Sequence, residues 1–245
     1  MGKLIKAECL KLSKLRSYKI LLLCVTGLGV LVGCLLVNMS AGELPVGYGG
    51  QDGYSIYMSA LADTEISAPF FLIFAALFVC TEFSNRTFGI GLFSGCLRSS
   101  VLTAKAIVFL IGLMPVVFAQ PIMAGMVGLI SEGLGNVDAQ MWRALIRTTL
   151  LAVLGNASIG GFCFMLAVLI QNIGGTVGVG IGLLMGMDVL RVLFGDVNVV
   201  KLTFLYQSGS LLQMESVGLF IAVTGSTLLV TIGVSIIAFQ KAELK

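Results

Sequence analysis

The chain has 245 residues, 58% of them hydrophobic and only 11% charged, with a formal net charge of +3 and a mean hydropathy of +1.05. Soluble domains carry about 25% charged residues, so this composition excludes an ordinary soluble domain. Histidine is absent altogether, which removes Ser-His hydrolases, HExxH peptidases and other histidine-dependent metal chemistry.

Several runs reach the roughly 20 apolar residues that cross about 30 Å of hydrocarbon at 1.5 Å per residue. The expectation is an all-α, polytopic membrane protein: one transmembrane domain over residues 1–245 with six helical spans. Residues 1–19 read as an amphipathic helix on the inner membrane surface. Leu4, Ile5, Cys9, Leu12 and Leu15 share one face, and Lys3, Lys6, Lys11 and Lys14 the other. Glu8 falls on the apolar side, where an acid snorkels, pairs with a neighbouring lysine or contacts a partner.

The first span covers about residues 20–38, "ILLLCVTGLGVLVGCLLV". A basic start, an apolar run and then "NMSAGE" also fit a secretory signal, but the run is longer than a typical signal core, which favours an uncleaved first helix. An acidic external loop follows, with Glu43, Asp52, Asp63 and Glu65, and its "GYGGQDG" at 47–53 reads as turn residues. The second span covers about 66–81, with Pro69 in its first turn, where a missing N–H costs little. The third covers about 104–130, and Pro115 and Pro121 predict a bend in it. The fourth covers about 144–170; the fifth, about 173–194, takes Asp188 and Arg191 into its outer end; the sixth covers about 217–239.

Cytoplasmic segments near span ends are enriched in Lys and Arg. Eleven of the 15 basic residues fall on one side under this assignment: six before the first span, then Arg86, Arg98 and Lys105, then Lys241 and Lys245. Both termini are therefore expected in the cytoplasm. The six cysteines form no CxxC pair, so neither a disulfide frame nor a zinc site is expected, and no metal site is assigned. No charge is placed at mid-membrane. Gln120, Asn156, Ser158, Thr224, Ser226 and Thr227 do fall inside spans, where they either hydrogen-bond between helices or line a substrate path. Gly174, Gly178, Gly182 and Gly186 recur every four residues on the fifth span, a spacing that lets helices approach closely in lipid, within the chain or between subunits.

The long interruption "EFSNRTFGIGLFSGCLRSS", residues 82–100, is then the main cytoplasmic connection. No GxxxxGK[ST] phosphate loop occurs in the sequence, so any energy for work must come from a partner. Glu82, then Asn85-Arg86-Thr87, the apolar "FGIGLF", and Arg98 and Lys105 leading into the next span resemble the permease subunits of type-2 ATP-binding-cassette (ABC) exporters. The start "LIKAECLKLSKLRS" is similar to the connector helix that opens these permeases. In size the chain resembles the small permeases of lantibiotic immunity and bacitracin export. Gly89 and Gly91 depart from the family's usual helix formers, each costing about 1 kcal/mol in a helix.

The resemblance implies a short coupling helix docking on a separate cytoplasmic ABC ATPase subunit, with Glu82, Arg86, Thr87, Phe88, Leu92 and Phe93 as contacts and Glu8 and Lys11 as a second contact. It further implies a second permease copy or a different permease, a bacterial plasma membrane, and ATP with Mg bound by the partner rather than by this chain, which has no catalytic residues and no cofactor of its own. No nucleic-acid partner is expected. A hydrophobic or amphipathic cargo, such as a peptide antibiotic, suits spans without buried charge. An ATP-independent secondary transporter, an intramembrane enzyme or a non-transporting membrane anchor are the alternatives. Repeated halves and a mid-membrane acid would mark the first of these, and neither is evident.

Overall fold

Runs of Leu, Ile, Val, Phe and Gly with charges at their ends favour helices, because a helix satisfies its own backbone hydrogen bonds in hydrocarbon. The computed structural model describes residues 2–38, 52–62, 64–85, 98–135, 139–194 and 217–241, and among these no strand occurs. In chain order the elements are α1 (Gly2–Lys14), α2 (Arg16–Asn38), α3 (Gly53–Ala62), α4 (Thr64–Ala75), a π-helical turn (Ala76–Cys80), α5 (Thr81–Ser84), α6 (Arg98–Glu132), α7 (Ala139–Ile170), α8 (Ile173–Phe194) and α9 (Val217–Lys241). Among the described residues, five stretches are long and apolar enough to cross a membrane: Arg16–Asn38, Ile66–Ser84, Ser99–Glu132, Ala139–Ile170 and Val217–Gln240. The fifth expected span matches α8 in its bounds, and Ile173–Met187 is the continuous part of its apolar stretch whose side chains are described.

α6 is the axis of the bundle. α2 runs parallel to it: Tyr18 Oη donates to the Gly112 carbonyl at 2.7 Å, while Gly29 faces Gln120 and Gly33 faces Ala124. α7 runs antiparallel, with Gly160 against Leu113 and Leu151 packed in the same cluster as Phe118. The main core lies between α2, α4, the π turn, α6 and α7, and it includes Phe71, Phe74, Phe109 and Phe164. α7 passes to α8 in a tight corner. Gln171 adopts a left-handed φ of 58°, and the Asn172 side chain caps α8 by accepting from the Gly174 and Gly175 N–H groups at 3.0 and 3.3 Å.

Three local expectations are corrected. Residues 53–62, read as part of an external loop, form the buried helix α3, whose Gly53, Ile56 and Tyr57 lie against Leu129, Gly128 and Gly125 of α6. Ten residues are too few for a span, so a search for spans passes over them, but their apolar side chains still seek the bundle. Because α4 then starts at Thr64, Pro69 stands inside the helix and not in its first turn. The polar groups also behave differently. Asn156, Ser158, Thr224, Ser226 and Thr227 each donate to a carbonyl three or four residues back in their own helix, an intrahelical solution open to short polar side chains, not a bridge between helices.

Close approach occurs on α2, where no glycine pattern was singled out. A Cβ on Gly29 would stand 2.5 Å from the Gln120 carbonyl oxygen, and one on Gly33 would stand 2.9 Å from that of Ala124. Backbone atoms cannot step aside as a flexible side chain can. Gly33→Leu should therefore cost about 1–3 kcal/mol by overpacking, read as a lower thermal midpoint in detergent. Gly182→Leu, where nothing lies within 4 Å of the added Cβ, should leave that midpoint unchanged.

Candidate functional site: a charge cluster where three helices meet

α1 has two stripes, and the one facing the bundle buries Glu8 and Leu12. Leu12 meets α6 at Gly112, where the missing side chain leaves room for it. That contact brings Glu8 beside Lys105, whose side chain is only 1% exposed. Lys105 stands seven residues beyond Arg98, the first residue of α6, between Ala104 and Ala106. From the other flank, α5 supplies Glu82.

The four groups interlock. The Lys105 ammonium lies 3.2 Å from Glu8 Oε2 and 2.8 Å from Glu82 Oε2. The Lys11 ammonium lies 2.6 Å from Glu8 Oε1 and 3.3 Å from Glu82 Oε1. Each lysine thus touches both acids and each acid touches both lysines. The cluster carries two positive and two negative charges, and only Lys11, with 54% of its side chain exposed, opens widely to the outside.

Beneath it the floor is aromatic. Lys105 Nζ stands 4.3 Å above the Phe78 ring, a cation–π contact. Phe78 stacks with Phe74 at 5.7 Å, Phe74 with Phe109 at 4.9 Å, and Phe109 tilts against Phe164 at 5.2 Å. Burying an isolated ammonium costs several kcal/mol; two carboxylates and a ring face offset that cost here. On the same flank Phe83 meets Phe239 edge-on at 6.1 Å, so the last helix ends at this end of the bundle too.

The titration of α1 follows from these contacts. Burial pushes the Glu8 carboxyl up, but Lys105 and Lys11 outweigh it and hold the group below its ordinary 4.5. Burial pushes the Lys11 ammonium down, but its hydrogen bond to Glu8 and the charge of Glu82 outweigh it and raise the group above its ordinary 10.5.

Of the expected coupling contacts, the structure brings together Glu8, Lys11 and Glu82. Arg86, Thr87, Phe88, Leu92 and Phe93 lie outside the described residues. Lys105 is the member that the sequence does not single out, because at the opening of the third span it reads only as a basic residue at a span end. A lysine flanked by alanines inside an apolar run was the available signal.

Two further features lie elsewhere. Gly174, Gly178, Gly182 and Gly186 are exposed, and the last three have nothing within 4 Å of an added Cβ; Gly180, on the other side of α8, is the one that packs on Leu72. At the opposite end of α6 from Lys105, an almost wholly apolar groove of about 220 Å³ is lined by Tyr54, Tyr57, Gly125, Met126, Leu129 and Trp142, among others. Between the two ends, the amide nitrogen of Gln120 and the amide oxygen of Asn156 are buried without a hydrogen-bond partner. In comparisons with known proteins, no family model and no curated protein matches this chain.

Lys105→Met leaves two carboxylates facing a single exposed ammonium. Loss of one partner of a buried ion pair costs about 3–5 kcal/mol, so the thermal midpoint should fall sharply, and adding Glu8→Gln should restore part of the loss. Acid and alkali should each weaken the cluster. Glu8, with its depressed folded value, contributes fully above 4.5 and loses that contribution as the pH falls through its lower folded value. Lys11, with its raised value, contributes fully below 10.5 and loses it as the pH rises beyond. A thermal midpoint measured against pH in wild type and in Glu8→Gln should differ in its acid limb.

Proposed function

We propose that the chain is the membrane-spanning permease subunit of an ABC exporter. In this proposal it has six spans, both termini face the cytoplasm of a bacterial plasma membrane, and ATP with Mg is bound and hydrolysed by a separate cytoplasmic ATPase subunit. The cluster of Glu8, Lys11, Glu82 and Lys105 is the observation that carries it. Residues 86–97 connect α5 to α6, and the charge cluster clamps both ends of that connection to α1. A force applied to the connection by an ATPase would reach α1, the second span and the third span together instead of bending one helix end.

The neutrality of the cluster supports a mechanical role over a proton-carrying one. Each carboxylate is balanced by an ammonium on either side, and Lys105 and Lys11 hold the Glu8 carboxyl below its ordinary value against the effect of burial, so Glu8 is not poised to exchange a proton near neutral pH. A proton-coupled carrier needs such an acid. The cargo is proposed to be hydrophobic or amphipathic, a peptide antibiotic being one such molecule. The apolar groove at the far end, the unpartnered amide nitrogen of Gln120 and the unpartnered amide oxygen of Asn156 suit a molecule with apolar surface and a few hydrogen-bonding groups.

The test is ATP hydrolysis by this chain purified with the ATPase encoded beside it, comparing wild type with Arg86→Glu plus Phe88→Ala. Loss of two anchors at an interface costs about 2 kcal/mol or more, some thirtyfold in affinity, so the variant should lose association or cargo-stimulated turnover. An unaltered variant, or no ATPase in the complex, would move the carrier and anchor alternatives to the front. The exposed glycine row on α8 gives an independent check on assembly. Gly178→Leu with Gly182→Leu should leave the thermal midpoint of the isolated chain intact while abolishing permease pairing, seen by cross-linking in vesicles, and transport. Unchanged pairing and flux would remove α8 from the interface.

A further inference from the structure

We infer that the outer face of α1 is a docking surface for anionic phospholipid headgroups. Lys3, Lys6 and Lys14 lie along one stripe of this helix, on either side of Leu10. All three lysines are exposed, and Leu10 is 54% exposed. The direction of this stripe is fixed from behind, because Glu8 and Leu12 on the opposite face are held against α6. α1 therefore cannot roll the face that carries Glu8 and Leu12 into lipid without leaving α6, and the basic stripe is the face turned outward.

Three observations select a lipid surface as the occupant. First, among the described residues the ion pairs of α1 are made by Glu8 and Lys11, while Lys3, Lys6 and Lys14, and Arg16 and Lys19 exposed at the start of α2, make none. A row of uncompensated cations beside the entry to an apolar helix matches an anionic leaflet.

Second, the depth is right. Tyr18 of α2 meets α6 at Gly112, and from Gly112 to Glu132 is about 30 Å at 1.5 Å per residue, the thickness of the hydrocarbon core. Lys105 then stands about 10 Å outside Gly112 along α6, which puts α1 at headgroup level. Third, Leu10 sits in the middle of the lysine row. Long lysine stems can keep their ammoniums at the phosphates while a leucine between them enters the acyl boundary. An acidic protein surface would satisfy the lysines but would leave Leu10 without that role.

This surface is distinct from the proposed ATPase contact and needs only that the chain spans a membrane. Its consequence is that lipid charge bears on the same helix that covers Lys105. Anionic headgroups hold α1 against the bundle, and a neutral membrane lets it lift.

The experiment is hydrogen exchange of residues 2–14 in the full chain, reconstituted into vesicles of phosphatidylcholine alone or of equal parts phosphatidylcholine and phosphatidylglycerol. Each lysine near an anionic surface contributes roughly a fivefold factor, so exchange in wild type should be slowed by about tenfold or more in the anionic vesicles, and high salt should remove the effect. Replacing Lys3, Lys6 and Lys14 together by Gln should abolish the lipid dependence, and replacing them by Arg should keep it. The Gln variant touches nothing inside the bundle, so its thermal midpoint in detergent should equal that of wild type; should it fail to fold, the lipid and salt dependence of wild type decides alone. Equal exchange in the two vesicles, a lipid dependence that survives in the Gln variant, or protection that arises only with a co-purified protein partner would each overturn the inference.

Discussion

The ammonium of Lys105 is the group around which one end of this bundle is organised. An unpaired charge in that position would be costly, and its compensation comes from elements far apart in sequence: Glu8 on α1, Glu82 on α5 and the Phe78 ring on the π turn. Apolar packing in a membrane can slide, because lipid replaces one methyl contact with another. Charges paired over an aromatic floor cannot do so without exposing carboxylate or ammonium to a medium of low dielectric. The cluster therefore sets the register of α1 on α6, and through Leu12 at Gly112 and Tyr18 at the Gly112 carbonyl it sets where α2 begins.

The π turn between α4 and α5 belongs to the same constraint. Such turns insert an extra residue into a helix and re-aim the side chains that follow. Here Thr81 Oγ1 closes the turn by donating to the Leu77 carbonyl at 2.6 Å, and Cys80 Sγ ties it to its neighbours by contacting the Ala167 carbonyl of α7 and Thr176 of α8. Within it, Phe78 faces Lys105 from below, and Glu82 just beyond it reaches Lys105 from the side. Farther along α6 the means of packing change. Gly29 and Gly33 let the α2 backbone close on α6, and Gly125 and Gly128 do the same for α3. One end of the axis is thus held by charge and the rest by small residues.

Most of the architecture was legible because the membrane imposes a coarse rule: apolar runs of sufficient length become helices. α2, α7, α8 and α9 agree with the expected spans to within a few residues, and α6 starts earlier because Arg98 and the serines after it continue the helix outward. The rule is silent below its length threshold, which is how α3 escaped it. It is silent as well on which face of a helix meets which neighbour. "GLGVLVG" on α2 and "GGTVGVGIGLLMG" on α8 carry the same spacing, yet one is a closed seam with α6 and the other is open. Only the positions of other helices separate them. Glu8 was visible as an acid on an apolar face, and Lys11 was close enough in sequence to suggest its partner; Lys105, 97 residues away from Glu8, was not.

That last pairing also explains why a charge count is a poor guide to this chain. A segment-by-segment tally places Lys105 among the solvated basic residues of a connection, as the positive-inside rule leads one to do. In the fold it is among the most deeply buried side chains described, and its charge is spent on Glu8 and Glu82 instead of on the membrane surface. Among the described residues, the exposed cations that make no ion pair at this end are those of the outer stripe of α1 together with Arg16 and Lys19 of α2. A single helix thus divides its charge by face: Glu8 turns inward and, with the half-exposed Lys11 at its edge, fixes the helix to the bundle, while Lys3, Lys6 and Lys14 turn outward. Because both sets ride on one rigid element, whatever acts on the outer set is felt by the inner one, and the cover over Lys105 becomes sensitive to what lies outside the protein.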